Sequence, residues 1–280
     1  IINRKHVITA NKALIAKHGE ELFGLAAKHN IFIGFEASVA GAIPIIQTIS
    51  SNFSNEKITS IVGIINGTSN FILHKMSTTN CDLQSALEEA QKLGYAEADP
   101  SFDINGMDAA HKISILAALA FGIKPPLNQT NVEGIESITA MDISYANELG
   151  YIIKHVGITE ISDDLVHASV HPVLVASNNI FSQVSNEMNA IIVKGERFGH
   201  TMLYGHGAGG NATASAVVSD LVSAINHMTY SKSSYAQMVE TVGQKSYKIK
   251  SQDNIKSQYY LRIFADDVPG VMAEITNKLA

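Results

Sequence analysis

A single cysteine, Cys81, stands in the 280 residues, so no internal disulfide can form, which fits a reducing cytoplasm. No apolar run approaches the roughly 20 residues that span a bilayer. The longest, Ile113 to Ile123, is broken by Ser114. No charged n-region followed by a hydrophobic h-region opens the chain, so nothing reads as a secretory signal. Lys and Arg are nowhere clustered and the formal net charge is −6, which argues against nucleic acid or an anionic membrane surface as partner. No serine sits in a nucleophile elbow and no histidine accompanies Cys81, so acyl transfer finds no support. Charged residues make up only 16% and hydrophobic ones 46%. That balance excludes a disordered chain and supplies a sizeable core, with length enough for two domains.

What is present reads as strands mixed with helices, an α/β or α+β body. His6 to Thr9 and Ile31 to Phe35 are short strands around a helix from Lys12 to Lys28, with Gly19 as a candidate interruption. Ile58 to Ile65 is a strand closed by the turn dipeptide Asn66-Gly67, and Thr68 opens a helix toward Met76. Asp82 caps a helix that runs to Leu93 and stops at Gly94. Gly106 to Phe121, capped by Asn105 and ended by Gly122 and Pro125-Pro126, is the clearest helix. A helix over Ser144 to Ile152 precedes a β region from Ile153 to Val193, with strands at Val166–Val175 and Ala190–Val193. A glycine-rich loop, Gly205 to Gly210, leads into the helix Ala212 to Tyr230. The polar stretch 231–257 reads as a linker, and a strand at Tyr259–Phe264 with a helix after Pro269-Gly270 closes the chain. The chain opens on Ile1 and stops at Ala280 inside an amphipathic pattern, so both ends are expected to be cut.

The densest polar constellation runs from Gly94 to Lys112 and holds Glu97, Asp99, Asp103, Asp108 and Lys112. Asp108 and Lys112 are spaced i, i+4 and share a helix face that continues into apolar residues. A lysine at such a core boundary, beside carboxylates, suits a proton shuttle. An ordinary surface ion pair is the alternative. A second cluster, Thr9 to Lys12, lies at the carboxyl end of a strand, where open α/β sheets bind ligands. The alternative is a helix start capped by Asn11. A third, Glu36 to Pro44, pairs one carboxylate with a kinked turn whose carbonyls suit a hard, oxygen-seeking cation, or is a plain strand-to-helix turn with Glu36 hydrogen-bonded. Gly205 to Gly210 could present N–H groups to a phosphate or ring. It does not follow the G-x-G-x-x-G pattern, and a tight turn explains it as well. His167 and His171 face one way on a strand, but no third ligand accompanies them and Pro172 marks a strand end.

In order along the chain, Val7–Leu14, Phe35–Ile46, Gly63–Leu73, Leu93–Pro100, Asp103–Lys112 and Tyr204–Ala216 resemble homoserine dehydrogenase, a likeness covering roughly residues 1–230. From Tyr259, with Asp267-Val-Pro-Gly270, the chain looks like the start of an ACT regulatory module, a βαββαβ unit. The resemblance implies reversible NAD- or NADP-dependent interconversion of L-homoserine and L-aspartate 4-semialdehyde, in threonine and methionine biosynthesis. It implies Lys112 as proton donor or acceptor, its basicity tuned by burial and a neighbouring cation, with Lys12 as a second active-site cation touching the cofactor. Glu97, Asp103, Asp108, Tyr95, Gly67 and Thr68 would bind substrate. Gly94, Glu97, Gly207 and Gly209 would border the cofactor. Glu36, with main-chain carbonyls of Val39, Gly41 and Ile43, would hold a sodium ion.

The fold so implied is α/β, the remnant of a Rossmann nucleotide-binding domain (1–32) with a mixed-sheet α+β catalytic and dimerisation domain (33–204). A glycine loop and helix (205–230) would return to the nucleotide domain, followed by the linker (231–257) and the ACT start (258–280). A cytoplasmic homodimer is expected. The phosphate-binding turn that should open such a nucleotide domain is missing, so the chain by itself is expected to bind dinucleotide poorly. Two rival readings are another amino-acid dehydrogenase of the same plan and a non-catalytic, amino-acid-binding regulatory piece.

Overall fold

The computed structural model describes residues 1–230, 239–250, 255 and 257–280. A two-stranded parallel sheet pairs β1 (Val7–Ile8) with β2 (Ile33–Gly34), and α1 (Lys12–His29) crosses between them. Asn11 caps α1 by accepting the Leu14 N–H, and Asn30 ends it in the left-handed region. Gly19 does not interrupt α1: the helix continues through it, with Phe23 buried a turn later.

The larger sheet is mixed. It contains β3 (Ile58–Ile64), β4 (Asn131–Val132), β5 (Tyr151–Ser162), β6 (Leu165–Ala176), β7 (Met188–Gly195), β8 (Gly199–His206) and β9 (Lys248–Ile249). Their order is β4-β6-β5-β3-β7-β8, with β9 beside β6. β4 and β9 run parallel to β6 and the remaining pairs are antiparallel. Two helices cover one face: α3 (Gly67–Thr79) and the apolar α6 (Met107–Phe121), which packs on β3, β5 and β6. Alternation along the strands then decides the side. Ile61, Val166, Val170, Ile191 and Val193 join the core under the helices. Val62, Ile158, Val173, Val175, Ile192 and Met202 line the opposite face and stay only partly buried.

Around this frame lie the short α2 (Ile45–Gln47), the amphipathic α4 (Leu83–Lys92) capped by Asp82, α5 (Ser101–Ile104), α7 (Ala140–Glu148), α8 (Gly210–Tyr230) and α9 (Val271–Leu279). No helix among the described residues is long and apolar enough to cross a membrane.

Several expectations shift. α7 begins at Ala140, not Ser144, because Thr139 and Asp142 form a capping box, and the strand starts at Tyr151. The N-cap of α6 is Gly106, at φ 85°, while Asn105 accepts the Met107 N–H from just outside. Pro172 does not end its strand: β6 runs on to Ala176, since its β4 partners are Ser169 and Val170 and Pro172 lies beyond them. The expected glycine loop is shorter, because Gly205 and His206 finish β8 against Asn189 and Met188. Within 231–257, Val239 and Val242 are buried in the main core and β9 joins the sheet, so the described part of this stretch is anchored to the body. Residues 231–238, 251–254 and 256 of it lie outside the described residues. Tyr259–Phe264 joins no strand ladder among the described residues. Side chains tie it down instead: the Tyr260 hydroxyl donates to Asp142 at 2.9 Å, and Arg262 pairs with Asp142 at 2.9 Å.

Candidate active site

Three segments distant in sequence converge where β3 ends. α1 contributes Lys12, the β3–α3 junction contributes Asn66, and α5 with the start of α6 contributes Asp103, Asp108 and Lys112. The i, i+4 spacing brings Lys112 Nζ to 2.7 Å from Asp108 Oδ2. Lys112 Nζ also donates to the Ile65 carbonyl at 2.7 Å. Lys12 Nζ reaches the other oxygen, Asp108 Oδ1, at 3.0 Å. One buried carboxylate thus holds two ammonium groups. Burial alone would push Asp108 up, but the two lysine charges and the hydrogen bonds from Lys112 and Asn66 outweigh it and hold its carboxyl down at about 2. The surface ion pair is excluded as a description: Lys112 is 9% exposed and Asp108 4%.

Asp103 lies beside this trio and behaves oppositely. Burial raises its carboxyl, the Asp108 charge adds to the rise, and a hydrogen bond from Asn66, the Lys112 charge and Thr68 pull against it. Asn66 was read in the sequence only as a turn residue, yet its Nδ2 donates to Asp103 Oδ1 at 2.7 Å and to Asp108 Oδ2 at 2.8 Å. An Asn before a helical pattern is a capping signal, and that signal was available. Phe102 was also missed: its ring lies 5.6 Å from Lys12 Nζ and edge-on to His111.

Of the other sequence candidates, Gly67 opens α3, and the Thr68 hydroxyl donates to the Tyr95 carbonyl at 2.6 Å, which ties Tyr95 to the group. Glu97 is exposed, and its recorded bond uses the main chain, accepting from Gln91 Nε2 at 3.1 Å. Gly94, at φ 81°, ends the α4 turn away from side-chain contacts.

The Glu36 cluster forms its own buried site. Glu36 Oε1 and Oε2 accept the N–H groups of Ile46 and Gln47 at 2.9 and 2.7 Å, capping α2. The Glu36 N–H donates to Asp220 Oδ2 on α8 at 2.9 Å. Both carboxylates are buried, and burial pushes Glu36 to about 7 and Asp220 to about 6. Neither pairs with a cationic side chain among the described residues. Ala40 and Gly41 turn the chain at φ 55° and 47°, and a Cβ on Gly41 would come within 2.7 Å of the Gly207 carbonyl. The glycine turn Gly207–Gly209 before α8 therefore packs directly on the Glu36 loop, with the Ala42 N–H donating to the His206 carbonyl at 3.0 Å. His167, on β6, bonds Ser169 Oγ at 2.9 Å, and among the described residues no group of three or more His, Cys, Asp or Glu converges.

Residues 44–222 match the family model described as homoserine dehydrogenase. A homoserine dehydrogenase of Pseudomonas aeruginosa is 44% identical over the whole chain, and one of Bacillus subtilis is 44% identical over 98% of it. The chain spans 65% and 63% of those relatives' lengths. A crystal structure of a homoserine dehydrogenase from Thiobacillus denitrificans superposes with a TM-score of 0.92 at 43% identity, over 99% of this chain and 65% of that one. A hyperthermophilic archaeal homoserine dehydrogenase in complex with NADPH superposes with a TM-score of 0.67 at 33% identity, over 79% of this chain and 64% of that one.

Proposed function

The chain belongs to the homoserine dehydrogenase family, and on that premise we propose that it carries the substrate and proton-transfer machinery for interconverting L-homoserine and L-aspartate 4-semialdehyde with NAD or NADP. The observation that carries this reading is the buried Asp108 carboxylate bridging Lys12 and Lys112, with the Asp103 carboxylate alongside. A bound nicotinamide would supply or take the hydride. The parallel β1–α1–β2 unit fits such a cofactor, because it sets Thr9 and Lys12 at the carboxyl end of a strand, where open α/β sheets bind ligands.

This chain's own residues do the rest. As hydride reaches the aldehyde carbon, the carbonyl oxygen gains negative charge. Lys112 Nζ hands that oxygen a proton, and in the oxidation direction takes it back. Lys12 adds a second positive charge beside the same oxygen and approaches the cofactor. Asp103, with Thr68 beside it, receives the α-ammonium and hydroxyl ends of the substrate together with Glu97, Tyr95 and Gly67. A zwitterion taken out of water needs such partners. Asp108 keeps the two amines on one side of the pocket, where their mutual repulsion would otherwise drive them apart. Gly94, Gly207 and Gly209 would border a bound cofactor.

Sodium is the second implied group. Two buried carboxyls without a cationic neighbour among the described residues, beside a left-handed turn, fit a hard cation held by Glu36 and the carbonyls of Val39, Gly41 and Ile43. The half-buried apolar sheet face around Val62, Ile158 and Val173 suits a homodimer. The domain reading places a nucleotide-domain portion at 1–32, a catalytic domain at 33–204, a glycine turn and returning helix at 205–230 and an ACT-like start at 258–280. The stretch 231–257, expected as a linker, is in its described part anchored through Val239, Val242 and β9. A cytoplasmic place in threonine and methionine biosynthesis follows from the same reading.

The test, on a protein that spans the full length of its relatives, is NAD(P)H consumption that depends on aspartate semialdehyde and is lost in Lys112→Ala. Consumption with a different amino-acid aldehyde, and none with this one, would overturn the reading.

A further inference from the structure

Asn66 is buried at the junction of β3 and α3, and every polar atom of its side chain is committed. Oδ1 accepts the Ser69 N–H at 2.7 Å and caps α3. Nδ2 donates to Asp103 Oδ1 at 2.7 Å and to Asp108 Oδ2 at 2.8 Å. This leaves no choice of amide orientation. Turned over, the amide would set its oxygen against two carboxylates and its NH2 against the helix N–H.

From this geometry we propose that Asn66 is a positioning residue that assigns different roles to the two carboxylates, leaving Asp108 to the lysines and presenting Asp103 as the anion for the substrate's α-ammonium. The proposal rests on the functional reading above. Its physical basis is the repulsion between two neighbouring carboxylates. Without a donor between them, such a pair shares a proton or splays apart, and their titrations become coupled. An amide nitrogen has two protons, one for each carboxylate, and carries no charge that would compete with the substrate ammonium. The groups facing Asp103 are Asn66 and Thr68 from α3, and Asp108 and Lys112 from α6. Lys12 from α1 lies on the far oxygen of Asp108. Asp108 is saturated by Lys12, Lys112 and Asn66, whereas Asp103 has no lysine bonded to it among the described residues and remains half-buried. The Ser69 hydroxyl donates to the Asp103 carbonyl at 3.0 Å, so one helix turn holds both the backbone and the side chain of Asp103.

Two substitutions separate this role from helix capping. Asn66→Ser keeps a good N-cap but cannot reach either carboxylate. Asn66→Asp keeps the cap and the size but replaces the donor with a third carboxylate. The loss of the Asn66 bond, which lowers Asp103, should raise the Asp103 midpoint in both variants. The acid limb of kcat/KM for aspartate 4-semialdehyde, the direction in which Lys112 must stay protonated, should then move up in Asn66→Ser, and further in Asn66→Asp. KM for aspartate 4-semialdehyde should rise about tenfold on the acid side of that limb, with kcat changing less. Carboxyl-carbon NMR titration of wild type and both variants reads the same effect without turnover: the Asp103 midpoint rises and that of Asp108 stays low under its two lysines. An unmoved Asp103 midpoint, or both midpoints moving together, overturns the proposal. So does a loss confined to kcat with KM and the acid limb unchanged. Failure of the functional reading would look different: a wild type without homoserine turnover, with the NMR titration still deciding the role of Asn66.

Discussion

Asp108 accepts a 2.7 Å bond from Lys112 one helical turn further along α6, in an interior where both side chains are nearly sealed from solvent. Breaking such a pair costs more than making it contributes, because the surviving charge loses its partner. The loss is asymmetric here. In Lys112→Met, Asp108 keeps Lys12 and Asn66. In Asp108→Asn, two ammonium groups face each other unneutralised. Asp108→Asn should therefore destabilise by about 3–5 kcal/mol, and Lys112→Met by clearly less, measured by urea unfolding. Both should lower kcat by roughly 10²- to 10⁴-fold. Equal destabilisation by the two would contradict the bridging role.

The Asp108 carboxyl titrates at about 2 in the folded protein against 3.8 ordinarily. A depressed carboxyl contributes stability above its unfolded pKa and loses it as pH falls through the folded one. Wild type should thus lose on the order of 2 kcal/mol relative to Asp108→Asn between about pH 4 and pH 2. Unfolding midpoints across that window check it.

Lys154, on β5, is 1% exposed and bonds the Val184 carbonyl and the Asn70 side chain, with no carboxylate partner among the described residues. Burial pulls its ammonium from 10.5 down to about 8. Here the sign reverses. The unfolded chain holds the proton more tightly, so stability rises as pH climbs from about 8 toward 10.5, by up to roughly 3 kcal/mol. Lys154→Met should flatten that rise. A wild type that loses stability relative to Lys154→Met over this window would refute the assignment.

Glu36 and Asp220 are buried carboxyls without a paired cation among the described residues. If the Glu36 loop holds sodium, NaCl should raise Tm by several degrees over equimolar choline chloride, since a ligand bound only by the folded state stabilises it. Glu36→Gln should erase that difference. Equal Tm values for wild type in both salts would leave the cation without support.

Gly207 sits against the Asn189 amide so closely that a Cβ would fall on it. Gly207→Ala should destabilise by about 1–3 kcal/mol through overpacking. Combined with Asn189→Ala, which opens the space, part of that loss should return. A double-mutant cycle reads the coupling, and strict additivity would show that the two residues do not meet.

How much of this was legible beforehand depends on the range of each interaction. α1 and α4 could be placed from an Asn or Asp that accepts an N–H three residues on, within one turn, and α3 and α6 from their apolar content and the glycines that bound them. α7 was misplaced by four residues because its start is decided by the Thr139–Asp142 box, hidden among polar residues that also suit a loop. β8 went unseen since Gly199 to His206 has little apolar character, and its pairing with β7 supplies the order. The extended reading of Tyr259–Phe264 fits its run of aromatic and apolar residues, but a strand also needs a backbone partner.

The same distinction divides the site. Asp108 and Lys112 are neighbours by helix geometry alone, so their pairing was written in the spacing of two residues. Lys12, Asn66 and Asp103 lie far apart in the chain, and no local rule places a lysine of α1 on the second oxygen of Asp108 or an amide between two carboxylates. Sequence by itself determined the helices, the kinds of polar group available and the family pattern they belong to. Packing α1 and α6 around the end of β3 decided which of those groups touch, because hydrogen bonds and ion pairs act over about 3 Å, a distance that only the assembled fold sets.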